Sequence, residues 1–287
     1  MTLIDKLGKS FVFTTELGGI NGTDIEGSIA KLKEYDGVDA INIHDCPNGR
    51  LRMNSVMAAA IIKQVAGVET IPHFTCRDRS LLGTQADLLG AHALGIRYML
   101  PTTGDGPQHG PYQSAAVYDY NTAKLIELIK NFNQGKDANG EAFTGQTQFA
   151  VAATATPGAA NLAAETANMQ RKISAGADFF QTQPVYDPEQ AGRFIDKAKS
   201  LGKPVLLGLM PLKSLKMAEF VNKNVAGVTV PAHILTEMEQ GKTGFEIACE
   251  FICQIYRQVD GIHIFGMGDV AVTNKVVAFA RELLNRR

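Results

Sequence analysis

Tyr98-Met99-Leu100-Pro101-Thr102-Thr103-Gly104-Asp105-Gly106-Pro107 is a short apolar run that breaks into a turn carrying a carboxylate. Such a run suits a strand buried on both faces. The glycines beside Asp105 let the backbone at its end come close to a flat ligand. Similar runs recur through the chain, and strands are expected at 11–17, 40–45, 70–75, 98–103, 148–154, 179–183, 205–210 and 262–266. Helical patterns fill the intervals, at 24–35, 53–65, 80–94, 121–133, 161–175 and 188–201. Eight strands alternating with helices predict a (β/α)8 TIM barrel, an α/β fold occupying residues 1–287 as a single domain. An open, doubly wound sheet is the alternative. Gly37, Gly67, Gly95, Gly176 and Gly202 each stand at a helix end shortly before a strand, where a left-handed residue closes the helix. Residues 135–145 read as a polar loop, 224–237 as an irregular turn with a short helix, and 244–257 as a longer helix.

Composition narrows the function. The 287 residues carry a formal net charge of -1 and no Trp, so neither a basic nucleic-acid face nor a base-stacking platform is expected. Cys46, Cys76, Cys249 and Cys253 lack the spacing of a zinc or cluster site and read as free thiols of a reducing cytoplasm. No metal is expected. No N-terminal stretch has the length of a signal sequence or a membrane span.

In a barrel of this type the site lies at the C-terminal ends of the strands. Those ends deliver Glu16, His44 with Asp45, His73 with Thr75 and Arg77, Asp105, Thr154 with Thr156, and Gln181 with Gln183. Each also has a plain structural reading. Glu16 is equally a solvated loop residue, Asp105 a turn cap and His73 a core histidine on a backbone carbonyl. Gln183, before Pro184, also serves as a partner for loop backbone. Arg77 and Arg79 stand as site residues or surface charges. Gln181 and Gln183 are two apart on one strand and point to one face. Gly266-Met267-Gly268-Asp269 opens a helix and is a weak phosphate-cradle candidate. Phosphate-loop, Ser-His-Asp and zinc-protease motifs are not seen.

Taken in order, the residues resemble methylenetetrahydrofolate reductase. The likeness rests on Thr15-Glu16-Leu17, Pro72-His73-Phe74-Thr75-Cys76-Arg77-Asp78-Arg79, Gly95-Ile96-Arg97 and Thr103-Gly104-Asp105-Gly106-Pro107. It continues through Arg171-Lys172, Ala175-Gly176-Ala177-Asp178-Phe179-Phe180-Gln181-Thr182-Gln183 and Gly208-Leu209-Met210-Pro211. The resemblance implies a flavin-dependent barrel of one-carbon metabolism, serving methionine biosynthesis, that reduces 5,10-methylenetetrahydrofolate to 5-methyltetrahydrofolate. Glu16 would be the general acid, its pKa raised by burial against flavin and pterin. Asp105 would tune the flavin and support a cationic iminium, and Gln183 and Gln181 would meet the pterin. His73, Thr75, Thr103, Gly104, Asp105, Thr154, Asn168, Arg171 and Lys172 would hold the cofactor. Asn168, Arg171 and Lys172, spaced by three and four, would share one helix face.

The chain departs from the family's pattern in four places, one of them Pro184-Val185-Tyr186 in place of a Phe-rich segment after Gln183 that bears on nicotinamide stacking. Leu17-Gly18-Gly19 follows Glu16 where the family has Phe-Phe-Pro-Pro. Thr103 stands where an Arg is usual. Thr154-Ala155-Thr156-Pro157-Gly158 replaces a stretch with Tyr and His near the adenine. FMN is therefore an alternative to FAD. Electrons would come from NAD(P)H or from an electron-transfer partner subunit, and an oligomer is expected. Two other classes stay open: a folate-binding subunit exchanging methyl groups with a corrinoid protein, and a non-catalytic partner in a larger complex.

Overall fold

Eight parallel strands follow one another in chain order and close into a barrel, β8 pairing with β1. The computed structural model describes residues 2–112 and 115–286. The strands are β1 (Val12–Leu17), β2 (Ala40–Ile43), β3 (Thr70–Thr75), β4 (Tyr98–Thr102), β5 (Ala150–Ala155), β6 (Phe179–Pro184), β7 (Val205–Leu209) and β8 (Gly261–Ile264). The helices are α1 (Leu3–Lys6), α2 (Glu26–Leu32), α3 (Ser55–Ala66), α4 (Leu81–Ala93), α5 (Thr122–Phe132), α6 (Leu162–Ser174), α7 (Pro188–Ser200), α8 (Leu215–Asn224), α9 (Ala232–Glu239), α10 (Gly244–Ile255) and α11 (Val270–Asn285). The open-sheet alternative is thereby set aside.

Period-two alternation builds two apolar cores from the same strands. Phe13, Ile41, Ile43, Phe74, Phe180 and Leu207 belong to the core shared with the surrounding helices. Val12, Ala40, Ile71, Tyr98, Phe179 and Leu206 form a second cluster with Leu3 and Leu7 of the N-terminal segment. That segment plugs the barrel's lower end, and the Ile4 N–H donates to the Tyr98 hydroxyl at 3.2 Å. The lead-in before β1 is thus part of the core.

All five helix-ending glycines have positive φ, from 68° at Gly67 to 112° at Gly176. Two helices were not anticipated, α1 and α8: α8, capped by Ser214, buries Ala218 and Val221 in a satellite cluster with Met210, Leu212, Val228 and Ile234. The short helix expected within 224–237 forms two residues later, as α9. Helices α8 and α9 pack on that satellite, and tertiary burial sets their limits more than local pattern does.

The β6–β7 pairing slips between Gln181 and Pro184. There the Gly208 N–H donates to the Thr182 hydroxyl at 2.8 Å. A Cβ at Gly208 would stand 2.4 Å from the Thr182 carbonyl oxygen and 2.5 Å from that of Gln183. Backbone cannot yield as a side chain does, so Gly208→Ala should cost about 3 kcal/mol. Urea unfolding measures it; an unchanged midpoint would show that the slip does not need glycine.

Candidate functional site

Stepping upward in twos along the strands changes the chemistry of the interior. On β1 the series is Val12, Thr14, Glu16; on β2 it is Ala40, Asn42, then His44 just past the strand; on β6 it is Phe179, Gln181, Gln183. An apolar floor gives way to a buried amide and hydroxyl layer, and above that to ionisable and amide groups at the mouth.

The middle layer is a continuous hydrogen-bonded chain. Asn42 Nδ2 donates to Gln181 Oε1 at 2.8 Å, and Gln181 Nε2 donates to Asn42 Oδ1 and to Thr14 Oγ1, both at 3.1 Å. Asn42 Nδ2 also lies 3.2 Å from His73 Nε2, and Thr14 Oγ1 lies 2.9 Å from His263 Nδ1. In this arrangement Asn42 donates to His73 Nε2, which leaves the His73 proton on Nδ1. Thr14 accepts from Gln181 and keeps both its proton and a second lone pair for His263 Nδ1, so that bond fits either His263 tautomer.

Glu16 sits directly above, almost fully buried. Its Oε2 is 2.9 Å from His44 Nε2 and 4.0 Å from His263 Nε2. The His44 ring stacks on His73 with centroids 4.7 Å apart. Burial alone would raise the Glu16 pKa, as expected from the sequence. The neighbouring His44 charge and hydrogen bond, with His263 adding to them, outweigh burial and bring it below the ordinary carboxylate value. For His44, burial opposes the charged form, but the Glu16 carboxylate raises its pKa, with a smaller contribution from Asp105. His73 is held well below the usual histidine value by burial and by the charge of His44. His263 is pushed down to about 4, chiefly by burial. The mouth thus holds an ion pair, Glu16 with His44, over two neutral imidazoles.

The other predicted residues divide into three groups. Asp105 is exposed in the loop after β4; its Oδ2 accepts the Asn48 N–H at 2.6 Å, and its carbonyl accepts from Arg77 Nη1 at 3.2 Å. Thr103, Thr154, Asn168, Arg171 and Lys172 line one cleft of about 390 Å³, with Asn121, Thr122 and Ala123 at the start of α5 on its other side. Within it Arg171 donates to Asn168 Oδ1 at 3.2 Å, as the helix spacing predicts. Lys172 is buried and donates to the Thr154 carbonyl at 2.6 Å, so it turns inward from that face. Burial lowers its pKa.

Thr75, Arg77 and Arg79 are committed to the framework. Asp45 Oδ2 accepts from the Thr75 N–H, the Thr75 hydroxyl and Arg79 Nη1 at 3.0, 2.9 and 2.5 Å. Arg79 also reaches Asp87 and lies over the Phe74 ring, while Arg77 clamps the Cys46 carbonyl. Both arginines are buried, so the surface-charge reading is set aside. Gln181 is likewise engaged below the mouth. Gln183, half-buried, makes no side-chain hydrogen bond to a described residue; only its carbonyl is used, by Thr182. Gly266-Met267-Gly268-Asp269 caps α11, where Asp269 Oδ1 accepts the Val272 N–H, and Lys213 pairs with Asp269 at 3.7 Å.

The family profile of methylenetetrahydrofolate reductase matches residues 19–280. The chain belongs to the methylenetetrahydrofolate reductase family. A 5,10-methylenetetrahydrofolate reductase of Pectobacterium carotovorum subsp. carotovorum is 30% identical over 162 residues, covering 55% of this chain and 49% of that protein. A probable methylenetetrahydrofolate reductase (NADPH) of Caenorhabditis elegans is 25% identical over 65% of this chain and 27% of its own length. The chain therefore spans about half the length of the bacterial relative and about a quarter of the nematode one. An uncharacterized protein from Clostridium thermocellum that binds two copies of 5-methyl-5,6,7,8-tetrahydrofolic acid shares the fold at 13% identity. Its TM-score is 0.64, over 97% of this chain and 96% of that one.

Thr14, Asn42 and His263 escaped the sequence reading because it searched strand ends only. Counting back two residues from Glu16 and His44 would have found Thr14 and Asn42. His263 lies between isoleucines in β8, and only barrel closure brings it to Glu16.

The neutral histidines predict an acid-side loss of stability. A folded pKa of about 4 against 6.5 unfolded means that the unfolded chain takes up a proton the folded chain refuses. His263 therefore destabilises progressively as pH falls from about 6.5 to about 4, by about 3 kcal/mol at the lower end. His44 has the opposite sign: its folded pKa is raised, so its contribution is full below about 6.5 and is lost as pH rises through the folded value. Urea unfolding across pH should show His263→Gln flattening the acid limb and His44→Gln the limb above 6.5. Parallel pH curves for wild type and variants would contradict these assignments.

Proposed function

We propose that this chain reduces 5,10-methylenetetrahydrofolate to 5-methyltetrahydrofolate by hydride transfer, with Glu16 and His44 supplying the proton that opens the five-membered ring. The observation that carries this reading is the buried Glu16–His44 pair at the mouth of a barrel of this family. The Clostridium thermocellum protein, whose fold this chain shares, binds a folate, which supports a folate ligand for this chain.

The residues present fit a flavin. Thr103, Asn168 and Arg171, with the first turn of α5, offer hydroxyl, amide, guanidinium and helix N-terminal donors to one cleft, a set suited to phosphate and ribose. Lys172 adds positive charge from beneath through its contact with Thr154. Gly104 has φ 85°, and a Cβ there would press on Thr75 and Arg77 at 3.1 Å, so the turn presents bare backbone beside Asp105. Bound reduced flavin supplies the hydride. FAD is the first expectation and FMN the second, with electrons coming from NAD(P)H or a partner subunit.

The chain's own groups account for the remaining chemistry. Glu16 is a carboxylate at neutral pH, so the acid proton enters on His44 and passes through Glu16 to the substrate nitrogen. As that nitrogen takes the proton, its bond to the one-carbon unit breaks and leaves a cationic iminium. Asp105 stands at the mouth to support that charge. Gln183 has its amide free for the donor and acceptor edge of a pterin, with Gln181 positioned below it. His263 and His73, being neutral, do not compete for the proton.

Purified protein should be yellow, and released cofactor identified by chromatography and mass should be FAD or FMN. No flavin, even after reconstitution, would overturn the hydride reading and leave a folate-binding methyl-transfer subunit. Arg171→Ala should weaken flavin binding about tenfold without loss of fold. Glu16→Gln should lower folate reduction by about 10²–10⁴ while flavin stays bound and reducible; unchanged turnover would end its role. Wild-type kcat should fall as pH rises through the raised pKa of His44. His44→Gln should lower kcat and remove that pH dependence, and a profile identical to wild type would exclude His44 from the proton path.

A further inference from the structure

Helix α10 carries Cys249 and Cys253 one turn apart, both free thiols, the first half-buried and the second exposed. With Glu246 and Glu250 they form one strip on the solvent side of the helix. Ile247, Phe251, Ile252 and Ile255 are buried on the other side, and α10 packs on α7 and α11. Thr243 and Glu246 close a capping box at its start. A capped and packed helix holds the two cysteines at a fixed spacing. Side chains four apart stand about 5–6 Å from Cβ to Cβ. A disulfide needs about 3.5–4.5 Å. The pair is too far apart to close on itself without unwinding a turn, and it suits one atom bonded to both sulfurs.

Zinc does not fit this pair, because a structural zinc takes about four protein ligands. Glu246 already accepts the Thr243 N–H and hydroxyl at 2.8 and 2.7 Å, and Glu250 accepts from Lys242 Nζ at 2.5 Å. Among the described residues no cluster of three or more His, Cys, Asp or Glu could hold a metal ion. Burial, then Cys253 and the Glu246 and Glu250 carboxylates, push the Cys249 thiol up to about 11. It is protonated at neutral pH, which disfavours a thiolate nucleophile or a peroxide sensor.

We infer that Cys249 and Cys253 form a dithiol site for trivalent arsenic of the organoarsenical class R–As(OH)2. Such a species is uncharged at neutral pH, so the two glutamates do not repel it. Each thiol proton leaves with one arsenic hydroxyl. Two As–O bonds break, two As–S bonds form and two waters depart. Arsenic stays trivalent, and no oxidant or reductant is consumed. A soft centre prefers sulfur to the carboxylates nearby. Pyramidal arsenic also places both sulfurs on one side, as a helix face does, whereas a linear two-coordinate ion wants them opposed. Once one bond has formed, the second closes within the molecule at high effective concentration.

The remaining cysteines offer no such pair: Cys76 is fully buried, and Cys46 is half-buried in the loop after β2. The test uses the reduced full chain and phenylarsine oxide, which hydrates to the dihydroxide, at micromolar concentration. Intact-mass measurement should show one phenylarsenic group in place of two protons, and peptide mapping should put it on Cys249 and Cys253. A small dithiol such as 2,3-dimercaptopropanol should remove it. Cys253→Ser should weaken the adduct by at least about 100-fold. Its far-UV spectrum should be unchanged, because Cys253 is exposed. Cys46→Ser should keep the adduct. A wild-type chain that takes no phenylarsenic, or an adduct that persists undiminished in Cys253→Ser, would overturn the proposal.

Discussion

The hydrogen-bonded chain His73–Asn42–Gln181–Thr14–His263 is the constraint on which the mouth depends. It crosses the barrel interior, where an unpaired amide would cost about 1–3 kcal/mol. Each member therefore binds the next in one orientation. Two consequences reach the surface. The His73 tautomer is assigned from below, and burial keeps both His73 and His263 neutral. Glu16 and His44 are then the pair able to carry charge within that buried cluster, and they carry it together. Burial, which would otherwise return Glu16 to its protonated form, acts instead on a pair whose opposite charges are in contact.

A second framework holds the loops above. Cys46 and Asn48 take left-handed backbone at φ 45° and 54° without being glycine. Arg77 bonds the Cys46 and Asp105 carbonyls together, and the Asn48 N–H meets the Asp105 carboxylate. Asp45 and Arg79 lock Thr75 at the neighbouring strand end. Backbone strain of about 1–3 kcal/mol persists only where surroundings over-determine it, and here three strand ends do so. The result is an exposed carboxylate held in place beside the mouth. It was singled out from the sequence for its flanking glycines, yet its anchoring comes from residues in two other loops.

The legible part of the site follows the same division. Glu16, Asp105 and Gln183 were read from strand ends, a local pattern, whereas the Asn168–Arg171 face was implied by the family resemblance, with helix spacing supplying only their shared side. Thr75 and Gln181 were read by the same rule, yet their side chains are taken up by Asp45 and by Asn42 and Thr14. A strand end says which residue is near the mouth and nothing about what already holds it. The Glu16–His44 pairing was missed for a related reason: His44 comes from a different strand, and its distance to Glu16 has no expression in sequence order. Helix α8 was missed because its formation depends on a cluster assembled from segments both before and after it.

The sequence by itself determined the alternation of eight strands with helices, the helix ends at glycine and the set of polar residues delivered to one end. These depend on contacts among near neighbours: hydrophobic period, backbone freedom at glycine and capping. Only the tertiary structure decided which polar groups pair, which ring is charged and which stays neutral, and that two arginines are framework. Those outcomes rest on distances of 2.5–4.0 Å between residues up to 249 positions apart. The assembled barrel creates them: neighbouring strands set His44 by Glu16 and Arg79 by Asp45, the interior joins Asn42 to Gln181, and closing β8 onto β1 brings Thr14 and Glu16 to His263, with water that would screen the charges excluded.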